Sequence, residues 1–229
     1  MTPEARAAMR AVIRAALGTG DLPDSTATHP GEFASRGLSQ AAEITDLQQR
    51  FAAELVALGG EVHQADSVDR VVAIIAGLLA AEGSTEVLAW DDEALPLPGV
   101  GAALERAGFI VHRQRPADAR NPERRAAWAG AGVGLTGAAA CLAQTGSLVV
   151  VSGPGRGRLA SLLTPIHVAL VSRASMAHSL PELLARQPAL ATSGTNMVCI
   201  TGPSRTADIE HHLIRGVHGP RQVHVIFVD

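Results

Sequence analysis

Apolar residues recur along this chain with two different periods. Ile44, Leu47, Phe51, Leu55 and Leu58 step by three or four positions in a segment that begins at Ser39, and Gly59-Gly60 ends the run. That is one face of a helix and its stop signal. Ser67 opens a second such face, carried by Val71, Ile74, Ile75, Leu78 and Leu79 and closed at Gly83. Pro3 to Leu17 reads as an amphipathic helix ending at Gly18. Val100 to Ala107 reads as a short helix, Leu180 to Arg186 as another, and Arg205 to Arg215 as the last. Between them lie short runs of strand character: "EVHQA" from Glu61, "EVLAW" from Glu86, "FIVHR" from Phe109, Gly132 to Thr136, "SLVVVS" from Ser147, "HVALVS" from His167, "MVCIT" from Met197 and "VHVIFVD" from Val223. Ala138 to Leu142 predicts a short turn or helix, and Arg156 to Leu163 a helical turn.

Strands alternating with helices predict an α/β fold, a mostly parallel sheet flanked by helices. The unbroken runs "LVVV" and "VHVIFV" suit strands buried on both sides, and the Met197–Ile200 run reads as a buried strand. The polar segment Thr19 to Gly37, broken by Pro23, Pro30 and Gly31, predicts a loop or extended arm. It divides an N-terminal helix and arm, residues 1–36, from a main domain, residues 37–229.

Composition narrows the function classes. With 229 residues, 47% of them hydrophobic, the chain can bury one substantial core. No apolar run approaches the ~20 residues of a membrane span. The N-terminus lacks the apolar block of a secretory signal, so a cytoplasmic location without membrane insertion is expected. Net charge is −3 and all 19 basic residues are arginine, a balance that does not point to nucleic acid. The cluster Arg113, Arg115, Arg120, Arg124 and Arg125 around Asn121-Pro122 reads as a solvated loop and helix start. Cys141 and Cys199 are far apart among apolar residues and read as two buried free thiols, with no C-x-x-C to hold zinc or an iron–sulfur cluster. The nine histidines show no metal-ligand spacing, so no metal site is expected. His167 at the start of its strand reads as a hydrogen-bonded core residue.

In an open α/β sheet, ligands gather outside the C-terminal ends of the strands. Two such turns stand out: "SGPGRGR", Ser152 to Arg158, and "GPSRT", Gly202 to Thr206. Both combine glycine, proline and arginine ahead of a helix start, where free N–H groups favour anions. Ser152, Arg156, Arg158, Ser204, Arg205 and Thr206 are therefore candidate ligands of a phosphate or carboxylate. The competing reading is that Ser204 caps a helix and the arginines pair with acids or solvent. On the last helix, Arg205, Asp208, His212 and Arg215 fall on one stripe, so Asp208 can hold Arg205 in place. His218, in "GVHGP", is a structural turn residue or, if it lies beside the anion turn, a proton-transfer group. Thr145 and Ser147, in "AQTGSLVV", add hydroxyls among small residues that allow close backbone approach, either to a ligand or to a neighbouring helix.

"AQTGSLVV", "SGPGRGR", "GPSRTADIE" and "GVHGPRQVHVIFVD" resemble, in order and spacing, the lactate utilization protein C family, which consists of a LUD domain. The resemblance implies a fold akin to the NagB/RpiA/CoA-transferase-like group. It also implies a role in oxidising L-lactate to pyruvate beside iron–sulfur partner proteins, with no cofactor in this chain. The motifs themselves, not the resemblance, lead to the expectation that Arg205 clamps a small anion where Ser204, Arg205 and Thr206 meet the Ser152–Arg158 turn, with Asp208 orienting Arg205 and His218 transferring a proton. Two other readings stay open: a non-catalytic scaffold or regulatory subunit that docks the partners, and a stand-alone enzyme on a CoA ester or sugar phosphate, the last by fold analogy alone.

Overall fold

The computed structural model describes residues 2–19, 44–115, 121–207 and 213–228. The chain divides into two compact units, Met1–Ser35 and Arg36–Asp229. The first contains helix α1 (Pro3–Thr19), close to the span its pattern predicts. The predicted arm lies almost wholly outside the described residues.

The second unit opens with α2 (Ile44–Ala57), whose Leu47, Phe51 and Leu55 are buried as their spacing requires. Strand β1 (Glu61–Ala65) follows, then α3 (Val68–Glu82). The Ser67 side chain caps α3 by accepting from the Arg70 N–H, and Gly83 ends it at φ 70°. Next come β2 (Glu86–Ala89), α4 (Val100–Arg106), β3 (Ile110–Arg113) and α5 (Pro122–Gly130). Asn121 caps α5 by accepting from the Glu123 and Arg124 N–H groups, which explains the Asn-Pro pair within the basic cluster. Strands β4 (Val133–Gly137), β5 (Ala140–Leu142), β6 (Ser147–Ser152), β7 (Ile166–Ser172) and β8 (Met176–Ala177) precede α6 (Leu180–Arg186). Strands β9 (Asn196–Ile200), β10 (Arg205–Ala207), β11 (Leu213–Arg215) and β12 (Gln222–Val228) complete the chain.

Six strands form one sheet in the order β1-β12-β7-β4-β2-β3, every neighbour parallel. Its inner strands β4 and β7 are buried almost throughout and its edges β1 and β3 only partly, as a helix-flanked parallel sheet demands. From β2 the chain steps outward to β3 and then returns across β2 to β4. The order therefore reverses between β2 and β4, and a crevice opens beyond their C-terminal ends.

A second sheet, in the order β8-β5-β6-β9, is mixed. Here β6 runs antiparallel to both β5 and β9. Ala140–Leu142 is a strand rather than a turn or helix, because it pairs with β6 at one edge and with β8 at the other. The Met197–Ile200 run is the outer strand of this sheet and is not fully buried: Val198 and Cys199 are exposed. Only Cys141 is the buried thiol expected of both cysteines.

The helix expected over Arg205–Arg215 does not form at either described end of that span. Arg205–Ala207 and Leu213–Arg215 pair as an antiparallel ladder, Arg205 opposite Arg215. Three apolar residues at helical spacing were too few to outweigh backbone pairing of the two segments. Asp208 and His212, and with them the proposed stripe, lie outside the described residues. No described helix is long and apolar enough to cross a membrane.

Candidate functional site

The turn after β6 closes on itself in two residues. Gly153 and Arg156 exchange N–H···O bonds of 3.1 and 2.9 Å, with Pro154-Gly155 at the corner and Gly155 at φ 69°. Proline then glycine is the order a type II turn favours. Three further bonds stitch this turn to the C-terminal end of the large sheet. The Asp91 N–H donates to Gly155 O at 2.9 Å and the Trp90 indole N–H to Gly157 O at 3.0 Å. The Leu159 N–H donates to Gln114 Oε1 at 2.9 Å. A Cβ at Gly157 would lie 2.6 Å from the Gln114 Cβ, so only glycine lets the turn sit this close to the end of β3.

Beneath the turn lies an open cleft of about 880 Å³, within the range of small-molecule sites. Asp91 enters it from the end of β2, Gln114 and Arg115 from the end of β3, and Ser152, Arg156 and Arg158 from the turn. A smaller cavity of about 210 Å³ occupies the β2–β4 crevice, walled by Trp90, Gly137 and Ala138, and Arg156 lines it too. Arg156 is half-buried and its guanidinium lies against Gly153. It makes no ion pair with any described residue, although Asp91 shares the cleft. The N–H groups of Gly155 and Gly157 have no hydrogen-bond partner among the described residues. Unpaired cationic and amide donors at the open end of a parallel sheet suit a carboxylate or phosphate.

The second turn is elsewhere. Because β6 and β9 are antiparallel with Leu148 opposite Ile200 and Ser152 opposite Asn196, their exits point opposite ways. Four residue steps place the two turns roughly 13 Å apart along the strands. The Ser204 N–H donates to Pro220 O, ahead of β12, and Arg205 donates to the carbonyl of Leu58, ahead of β1. Gly202–Thr206 thus sits where the parallel strands begin. His218 is exposed, and the next residue, Gly219, lies against Ser204, so the "GVHGP" and "GPSRT" turns are neighbours. Thr145 and Ser147 join this end: Ser147 Oγ lies 2.7 Å from Thr145 Oγ1 and 2.8 Å from Thr201 Oγ1. The candidate residues therefore form two groups, with Ser152, Arg156 and Arg158 in the cleft and Thr145, Ser147, Ser204, Arg205, Thr206 and His218 at the far end. His167 lies in the core as expected, its Nε2 2.9 Å from Thr136 Oγ1, and burial pushes its pKa down to about 4.

The model of the LUD domain matches residues 48–228, nearly the whole second unit. The chain belongs to the LUD domain family. Among curated relatives, lactate utilization protein C of Halalkalibacterium halodurans is 31% identical over 71% of this chain and 70% of its own length. Lactate utilization protein C of Macrococcus caseolyticus is 30% identical over the same shares. A solved structure, that of a DUF162 family protein from Deinococcus radiodurans, superposes with a TM-score of 0.60 at 20% identity, covering 82% of this chain and all of that one. The α/β architecture of this LUD domain is thus shared with a relative of remote sequence. Asp91, Gln114, Arg115 and Thr195, which complete the cleft, carry no motif of their own. The position of Asp91 and Gln114 directly after strands was the signal that could have found them.

Proposed function

We propose that this LUD domain serves in lactate utilization, as a subunit of a system that oxidises L-lactate to pyruvate while iron–sulfur partner proteins carry the electrons. In that role it binds a small carboxylate or phosphate anion in the Asp91–Arg156 cleft. The names of its relatives support the system, and the unpaired, half-buried Arg156 supports the anion. Arg156 and Arg158 suit a carboxylate, and the Asp91 carboxylate suits an adjacent hydroxyl as acceptor, the two groups that a 2-hydroxy acid presents. His218 lies at the other end of the sheet, so it takes no proton from a ligand held in this cleft.

The test is thermal melting of the chain with L-lactate, pyruvate, phosphate, sugar phosphates and CoA, beside Arg156→Ala. A ligand at a hundred times its Kd stabilises by about 2.7 kcal/mol, a rise of roughly 5–10 °C for a domain of this size. The expected result is a shift for a small carboxylate or phosphate that Arg156→Ala removes. A shift that survives Arg156→Ala refutes the site.

One observation favours a second reading, a scaffold that docks its partners. Strand β9 is an outer strand among the described residues, with Val198 38% exposed, and an open strand edge is a ready template for pairing. On that reading no anion shifts the melting point, and a charged substitution, Val198→Lys, abolishes binding of a partner protein.

A further inference from the structure

We propose that Glu61, His63 and His224 form a binding site for a divalent transition-metal ion of the zinc class. The site would clip the edge strand β1 to β12, at the end of the sheet opposite the cleft. It stands on its own geometry and does not depend on the lactate reading.

The backbone brings the three side chains together. Glu61 and His63 are two residues apart on β1, so they project from one face. Parallel pairing sets Glu61 opposite His224 and His63 opposite Ile226, which places His224 on that same face. His63 Nε2 lies 3.1 Å from His224 Nδ1, and Glu61 Oε2 lies 3.9 Å from the first and 3.6 Å from the second. A tetrahedral ion bound at ~2.0–2.1 Å needs ligand atoms about 3.4 Å apart, so these three separations bracket the requirement. Rotation of the exposed Glu61 side chain closes the remainder.

The surroundings suit a ligand set. His224 Nε2 is 3.2 Å from Gln222 Oε1, so the far nitrogen has an acceptor that leaves the lone pair on Nδ1, facing the site. His224 is buried and His63 half-buried, and burial pushes both imidazoles toward the neutral, metal-binding form. The Arg70 charge beside His63 opposes a cation, and the Glu61 carboxylate opposes Arg70. Two imidazoles and one carboxylate select zinc-class ions over magnesium or calcium, which take oxygen ligands. Without an ion, the two imidazoles satisfy each other through one N–H, and binding requires His63 to move its proton to Nδ1. A hydrogen-bonded histidine pair is the competing account. The pattern escapes sequence reading because E-x-H on one strand meets its third member only through the β1–β12 register.

The experiment uses the full chain, stripped with a chelator and dialysed. Zn²⁺ is titrated in competition with a chromophoric chelator, and Co²⁺ is titrated for visible ligand-field bands. Melting is followed with Zn²⁺ or Mg²⁺. The expected result is one ion per chain, Co²⁺ bands, and a melting point raised by Zn²⁺ but not by Mg²⁺. Glu61→Gln and His63→Ala, at partly exposed positions, should each weaken Zn²⁺ by at least ~10- to 100-fold. No stoichiometric binding to the native chain overturns the proposal. So does binding that both variants retain, since the ion would then sit elsewhere.

Discussion

The turns Ser152–Arg158 and Gly202–Thr206 look alike as strings of letters, yet the fold uses them in opposite ways. The first leaves β6 toward the C-terminal ends of the parallel strands, and its Arg156, between two cavities, has no ion-pair partner among the described residues. The second leaves β9 toward the beginnings of the strands, and its Arg205 is engaged with the carbonyl of Leu58. One antiparallel pairing separates them. An arginine in a glycine–proline turn is therefore a candidate ligand only once the end of the sheet it reaches is known. At the first turn, interior hydrogen bonds hold the backbone and leave the charge free. At the second, the charge itself is one of the ties.

The largest test of this contrast is steric. Gly146, beside the hydroxyl cluster of the second turn, has φ 61°, and a Cβ there would lie 2.5 Å from the Leu55 N of α2. Backbone cannot step aside, so Gly146→Ala combines left-handed strain with overpacking, roughly 3 kcal/mol in all. For a domain of this size that lowers the melting point by roughly 6–12 °C. Gly155 in the first turn has φ 69°, but its nearest neighbour is the Asp91 carboxylate at 3.0 Å, a side chain that can move. Gly155→Ala should cost about 1 kcal/mol. Urea denaturation of both variants compares them directly, and equal losses would erase the difference in rigidity between the two ends.

A second test loads the large parallel sheet, whose two ends the turns flank. Burial, with the nearby His224 as a lesser cause, holds the His167 pKa near 4 in the folded chain against an ordinary 6.5. The unfolded chain therefore binds the proton first, and stability present above about pH 6.5 is lost as pH falls toward about 4, by about 3 kcal/mol in total. His63 and His224, also lowered, contribute with the same sign. Urea melts between pH 7 and pH 4.5 should show this slope, and His167→Gln should flatten it by its own share. A variant with an unchanged slope would mean that His167 is not the buried neutral group described.

The alternation of helices and strands was legible because buried faces impose their period: Leu47, Phe51 and Leu55 on α2, and Val223 to Val228 on β12. Caps at Ser67 and Asn121 were legible for local reasons. Strand direction was not, because β6 is buried on both sides whether its neighbours run parallel or antiparallel. That single ambiguity merged two distant turns into one expected site. Arg156 and Arg158 were singled out by their glycine-rich turn, whereas Asp91 and Gln114 join them in the cleft only because the ends of β2 and β3 come together under that turn. The Arg205–Arg215 span was misread because strand pairing of its two described ends is a tertiary event that a short apolar stripe does not reveal.

The smallest effect discriminates best, because it exchanges roles between the two arginines. Arg205→Ala removes a tie from the second turn to the start of β1 at an exposed position, so its stability cost is about 1 kcal/mol. It should leave the response to a small anion intact, since Arg205 does not line the cleft. Arg156→Ala removes no ion pair, so its stability should stay within about 0.5 kcal/mol of the parent while its response to the anion disappears. Urea denaturation with and without the anion reads both quantities from the same samples. If Arg205→Ala instead abolishes the response and Arg156→Ala preserves it, the ligand belongs to the end where the strands begin. The rule that open α/β sheets bind at their C-terminal ends then fails for this molecule.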